Sequence, residues 1–284
     1  NGLILISSAT NISLLRAGQP GNDLPYILFL PTYTAAAFYH KKLEGRFQNL
    51  DEALFKAKEF ASGPYVTALM KGDLISSDEK KQIAETFGEL TGLSPEWIKA
   101  SNLRVAPLRF AKELLKSEGR IIGRFDARLE GTSTDVNGSI MEFDYSQEAI
   151  FSSFVSGFNQ YMKDELGWNK LNEYQFLTSL HPWNYCRNSQ DPMNMAIELR
   201  ELIIRNRGFH VFFAIGIYDL ATPFFAQEYA INHLSLEPRE RNNLSIHTYP
   251  AGHMMYIDQN TLEALSQDLK KFFQKSLEVN AAAK

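Results

Sequence analysis

Residues 209–219 read Phe209-His210-Val211-Phe212-Phe213-Ala214-Ile215-Gly216-Ile217-Tyr218-Asp219. From Phe209 to Ile217 the stretch is almost wholly apolar, β-branched or aromatic. It lacks the alternation of a strand with one wet face, so it fits a strand buried on both faces of a parallel sheet. Thr222-Pro223 follows and predicts a capped helix running to about Leu234. A further strand is expected from Leu244 to Tyr249. After it comes an amphipathic helix from Thr261 to Leu277, with Leu262, Leu265, Leu269, Phe272 and Leu277 inward. At the start of the chain, Leu3-Ile4-Leu5-Ile6 marks a short buried strand from Gly2 to Ser7. Strand, helix and strand in succession predict an α/β sheet with right-handed crossovers.

Between these ends lies a long region of helical character. Asp51 is the expected cap of a helix to about Ala61. Ser76 and Glu79 form a capping-box pattern for a helix ending near Gly88, and Ser94-Pro95 starts another. Helices are also expected from Pro107 to Ser117, from Ser146 to Leu166 and from Asn194 to Arg205. The one from Ser146 to Leu166 carries Ile150, Phe154, Phe158 and Tyr161 on one face. Residues 31–205 are too many for a loop and predict a mainly helical lid over one end of the sheet. The chain then divides into a first core strand with its lead-in loop (1–30), the lid (31–205) and the closing strands and helices of the core (206–284).

Composition narrows the functional classes. Hydrophobic residues make up 44% and charged residues 22%, as in an ordinary globular chain, and the net charge is -4. Lys and Arg are scattered, which argues against nucleic acid as a partner. The longest apolar runs are too short to span a bilayer. The single cysteine, Cys186, can form no intrachain disulfide and is expected in the core. No His/Cys cluster has zinc-ligand spacing, so neither metal nor cofactor is expected.

Two residues stand where chemistry would be placed. Asp219 follows the apolar strand, at the carboxyl end where open α/β sheets hold their sites. His253, in Ala251-Gly252-His253-Met254-Met255-Tyr256, follows the next strand, and Gly252 is expected to turn the backbone sharply there. Alone, Asp219 would serve as a turn residue facing a helix dipole, and His253 as a loop histidine. Together they occupy corresponding ends of two successive strands. That order matches the acid and base of an α/β-hydrolase triad, in which a carboxylate orients the imidazole and stabilises its protonated form. The nucleophile is expected upstream in Gly-x-Ser-x-Gly at a strand-to-helix elbow. No such motif occurs in residues 1–284. The near misses, Gly92-Leu93-Ser94-Pro95-Glu96 and Gly131-Thr132-Ser133-Thr134-Asp135, follow no expected strand.

Four segments resemble the serine carboxypeptidase family of the carboxypeptidase Y type, and more closely its bacterial members. Asn1-Gly2-Leu3-Ile4-Leu5-Ile6-Ser7-Ser8 is similar to the strand after the nucleophile helix. Gly21-Asn22-Asp23-Leu24-Pro25-Tyr26 with Leu30-Pro31-Thr32-Tyr33-Thr34-Ala35 is similar to the lead-in to the lid. Gly216-Ile217-Tyr218-Asp219-Leu220-Ala221-Thr222-Pro223 resembles the strand end bearing the catalytic aspartate, and Ala251-Gly252-His253-Met254-Met255-Tyr256 the histidine loop. The resemblance implies the C-terminal part of an α/β-hydrolase fold, with about three sheet strands. It implies proteolysis by a serine-type peptidase that removes the C-terminal residue of a peptide substrate at mildly acidic pH, in a secreted or periplasmic setting. The missing elbow then implies a chain that lacks its nucleophile region and is inert alone. Trp183 and Tyr185 in the lid, with Asn22, Asp23 and Tyr33, are candidates to line the substrate pocket. The strand from Gly2 to Ser7 would expose an unpaired edge, and self-association through it is expected. Another α/β hydrolase, such as an aminopeptidase or esterase, would use the same Asp219 and His253. A non-catalytic binding module would need neither.

Overall fold

A computed structural model describes residues 2–138, 141–168, 170, 174–176 and 194–282. The first strand, β1 (Gly2–Ile6), ends at Ser7, whose left-handed backbone (φ 47°) turns the chain off the sheet. Where the sequence suggested no helix before residue 51, a buried one forms, α1 (Leu24–Tyr39). Every residue from Pro25 to Ala37 in it is buried. A helix apolar on all sides shows no amphipathic period, and Pro31 within it hid it further.

The helical region continues with α2 (Leu50–Phe60), capped by Asn49, whose side chain accepts from the Glu52 N–H, rather than by Asp51. A π-helical turn at Ala61–Tyr65, around Pro64, leads into α3 (Val66–Met70). Ser76 caps α4 (Ser77–Thr91), which ends at left-handed Gly92, and Ser94 caps α5 (Pro95–Ala100). α6 (Pro107–Glu113) is shorter than expected. It is followed by a hairpin that the sequence reading did not anticipate, β2 (Arg120–Ile122) and β3 (Glu130–Thr132), paired antiparallel. Three-residue strands are too short to carry a period. α7 (Tyr145–Asp164) and α8 (Ala196–Arg205) complete this region.

The closing segment is β4 (His210–Gly216), α9 (Phe224–Asn232), α10 (Pro238–Arg241), β5 (Leu244–Tyr249) and α11 (Gln259–Ala282). The architecture is α/β, with a parallel sheet ordered β1-β4-β5. Gly2 to Ile6 lie opposite His210 to Ala214, and Val211 to Gly216 opposite Leu244 to Tyr249. Every residue of β4 is buried, as the apolar run implied. Its side chains alternate between two cores. Phe212 and Ala214 meet Leu265 and Phe272 of α11. Val211, Phe213 and Ile215 join a cluster that continues without a break through α1, α2, α4 and α6, so the sheet and these helices share one core. Among the described residues nothing pairs with the outer edge of β1. No described helix is long and apolar enough to cross a membrane.

One buried group gives the fold a pH dependence. His210 opens β4 with 1% exposure, and neither ring nitrogen has a hydrogen-bond partner among the described residues. Burial first, and the Lys275 ammonium second, push its pKa below the ordinary histidine value. The unfolded chain therefore binds the proton more readily than the folded one. Stability from this residue is complete above the unfolded value of about 6.5 and is lost as pH falls below it. Urea midpoints should fall between pH 7 and pH 5 more steeply for the native chain than for His210→Phe. Parallel curves would remove His210 from this role.

Candidate active site

The β4–β5 ladder runs on past the strand ends, with Ile217 N–H donating to the Tyr249 carbonyl and Tyr218 N–H to that of Ala251, both at 3.0 Å. This extension sets the Asp219 and His253 loops side by side. Asp219 is fully buried. Its Oδ1 accepts from the backbone N–H groups of Ala221 (2.7 Å) and Thr222 (2.9 Å). Its Oδ2 lies 2.6 Å from the Thr222 hydroxyl and 2.8 Å from His253 Nδ1. The structure thus joins the two residues in one hydrogen bond. Nδ1 faces the carboxylate, and Nε2 has no partner among the described residues.

Thr222 was expected to cap the next helix. Its hydroxyl is instead within reach of Asp219 Oδ2, the Ser7 carbonyl (3.1 Å) and His253 Nδ1 (3.3 Å), and α9 begins after Pro223 with no side-chain cap bond. Ser7 grips the other side, its hydroxyl donating to the His253 backbone carbonyl at 2.6 Å. Sequence reasoning missed both residues.

It also missed the brace. The turn between β2 and β3 holds both loops. Phe125 takes the His253 N–H on its carbonyl at 2.6 Å, and its ring lies 5.0 Å from the imidazole, tilted by 31°. Ala127 N–H donates to the Tyr218 carbonyl (2.9 Å), and Leu220 N–H to that of Arg124 (3.0 Å). Arg128 is bidentate to Asp126 and reaches the Pro250 carbonyl at 2.8 Å. Glycine matters here for proximity. The chain bends at Pro250, Ala251 and His253 around Gly252, which does not use left-handed backbone, and a Cβ there would strike the Phe125 carbonyl and the Asp126 backbone. A Cβ on Gly216 would strike the Ala251 and Gly252 carbonyls.

A cleft of about 500 Å³ opens beside the pair. Its walls are mostly apolar, with His253, Thr222, Arg16 and Arg124 as the polar members. The other sequence candidates lie apart from it. Tyr33 is fully buried, its hydroxyl on the Val105 carbonyl and its ring stacked 4.1 Å from Phe110. Asp23 is bidentate to Arg104, and the Asn22 amide serves the Ser13 and Arg16 carbonyls. Trp183 and Tyr185 lie outside the described residues, as does Cys186. Ser94 spends its hydroxyl in the α5 cap and on Glu96, and Ser133 on Glu142, so neither near-miss serine meets His253. No group of three or more described His, Cys, Asp or Glu residues could hold a metal ion.

No protein family, curated protein or solved structure matches the chain.

Proposed function

We propose that the chain supplies the acid and base of a serine-type carboxypeptidase with an α/β-hydrolase core. The observation that carries this reading is the 2.8 Å bond between Asp219 and His253 at the ends of adjacent parallel strands. Asp219 fixes the imidazole with Nδ1 protonated, leaving Nε2 to take a proton from a hydroxyl nucleophile and return it to the leaving amine. The buried carboxylate then faces the imidazolium it must stabilise. The apolar cleft beside His253 is of a size to take a side chain of a peptide.

No Gly-x-Ser-x-Gly elbow occurs in residues 1–284, so the reading requires a serine from polypeptide outside them. The unpaired outer edge of β1 is where a strand of that polypeptide would add. The test uses the complete gene product. A fluorophosphonate probe should label a serine, and an N-blocked dipeptide should lose its C-terminal residue. His253→Ala should abolish both. Absence of labelling, or labelling indifferent to His253→Ala, overturns the reading, and release of an N-terminal residue instead would make the enzyme an aminopeptidase.

A further inference from the structure

Four donors meet the Asp219 carboxylate. The N–H groups of Ala221 and Thr222 take Oδ1, and the Thr222 hydroxyl and His253 Nδ1 take Oδ2. A carboxylate offers about four lone-pair positions, so this one is full. Oδ2 and Thr222 Oγ1 stand 2.6 Å apart, a separation that two oxygens hold only with a proton between them. The ionised carboxylate brings none, so the threonine hydroxyl donates its single hydrogen to Oδ2. The Ser7 carbonyl, at 3.1 Å, takes a lesser share of the same hydrogen in a three-centre bond. Toward His253 the hydroxyl can therefore only accept. Nδ1 lies 3.3 Å from it, so the Nδ1 proton faces two oxygens, Oδ2 at 2.8 Å and Oγ1 beside it.

A single hydrogen bond at Nδ1 is an axle about which an imidazole can swing, carrying Nε2 away from a nucleophile. Contacts off that axle stop the swing. Thr222 Oγ1 supplies one at the ring and the Phe125 ring another. The backbone of His253 is held at both ends, its N–H on the Phe125 carbonyl and its carbonyl under the Ser7 hydroxyl, each at 2.6 Å. Ser7 itself belongs to the sheet, since its N–H continues the ladder onto the Ala214 carbonyl at 2.9 Å. It is buried, and its φ of 47° is one that glycine adopts without strain and serine does not. What serine adds over glycine at that position is the hydroxyl on His253.

We propose that Ser7 and Thr222 are positioning residues, a pair of hydroxyls that sets where His253 points Nε2. Ser7 acts through the His253 backbone, and Thr222 through Asp219 Oδ2 and the Nδ1 edge of the ring. The proposal deepens the hydrolase reading and rests on it for its catalytic meaning.

Two variants separate positioning from plain support of the fold. Ser7→Gly removes one hydroxyl and also relieves the left-handed backbone, so its urea midpoint should stay close to the native value. Thr222→Val removes the other at nearly constant shape and keeps the Thr222 N–H bond to Oδ1. In NMR spectra of the chain itself, the His253 ring protons of both variants should lose the shielding that the Phe125 ring gives them. In the complete gene product, kcat for an N-blocked dipeptide should fall about tenfold or more with KM unchanged. Thr222→Ser, which keeps a hydroxyl, should recover most of the loss. Native ring shifts in both variants overturn the proposal. So does a loss of kcat that follows the urea midpoint down in Ser7→Gly and is not recovered by Thr222→Ser, because the hydroxyls then serve only the fold. If the complete gene product takes no fluorophosphonate label, the hydrolase reading falls, and the ring shifts of the chain alone still decide whether the hydroxyls position His253. Labelling with native ring shifts in both variants leaves the hydrolase and removes this role.

Discussion

Asp219→Asn is expected to lower kcat of the complete gene product by about 10⁴-fold while the protein still folds. The amide oxygen can take the place of Oδ1 and accept from Ala221 and Thr222. The amide nitrogen then replaces Oδ2, facing the Thr222 hydroxyl and His253 Nδ1. That nitrogen only donates, so Nδ1 must accept. The imidazole is driven to the tautomer with its proton on Nε2, which cannot act as a base toward a serine. Stability should fall as well, by about 1–3 kcal/mol, because a fully buried hydrogen-bonded charge is replaced by a poorer acceptor. Hydrolysis of an N-blocked dipeptide measures the first effect and urea unfolding the second. A kcat within tenfold of the native value would leave Asp219 as a structural turn residue only.

How far the sequence carried this picture depended on what each element does with its faces. β4 was legible because burial on both faces writes a continuous apolar run. α11 was legible because it has one wet face and one dry, with Leu265, Leu269 and Phe272 on the dry one, although Leu262 and Leu277, expected inward with them, are exposed. α1 is buried all round and so has no period to read. Asp219 and His253 could be paired by position, since strand ends are countable in a chain. The residues that hold them could not. Ser7 meets His253 from 246 positions away, through a backbone carbonyl. Phe125 does so through its own carbonyl, from a hairpin of three-residue strands. A bond to a backbone carbonyl places no demand on the side chain of the residue that owns the carbonyl, so neither pairing leaves a pattern to read. Asn22, Asp23 and Tyr33 show the converse. They are polar or aromatic residues in a segment that resembles a lid's lead-in, and the fold uses Asn22 to bond backbone carbonyls, Asp23 for an ion pair and Tyr33 for core packing instead.

That dependence on backbone contact makes Gly252→Ala the second large effect to expect. The added methyl would overlap the Phe125 carbonyl and the Asp126 Cα and Cβ, atoms that cannot swing aside as the end of a flexible side chain could. Asp126 is clamped by Arg128, and the turn is tied to Tyr218 and Leu220 by backbone bonds. The strain must therefore displace either the hairpin turn or the histidine loop. Moving the turn gives up the 2.6 Å bond from His253 N–H to Phe125. Moving the loop stretches the bond to Asp219. Overpacking of this kind costs about 1–3 kcal/mol, and a displacement of about 1 Å at a catalytic base lowers turnover about 10²-fold. Both should appear together, as a lower urea midpoint and a lower kcat. The His253 Nδ1 proton resonance should also shift upfield as its bond to Asp219 weakens. Full activity with native stability would mean that the turn is soft, and that the brace on His253 is not what holds the imidazole in place.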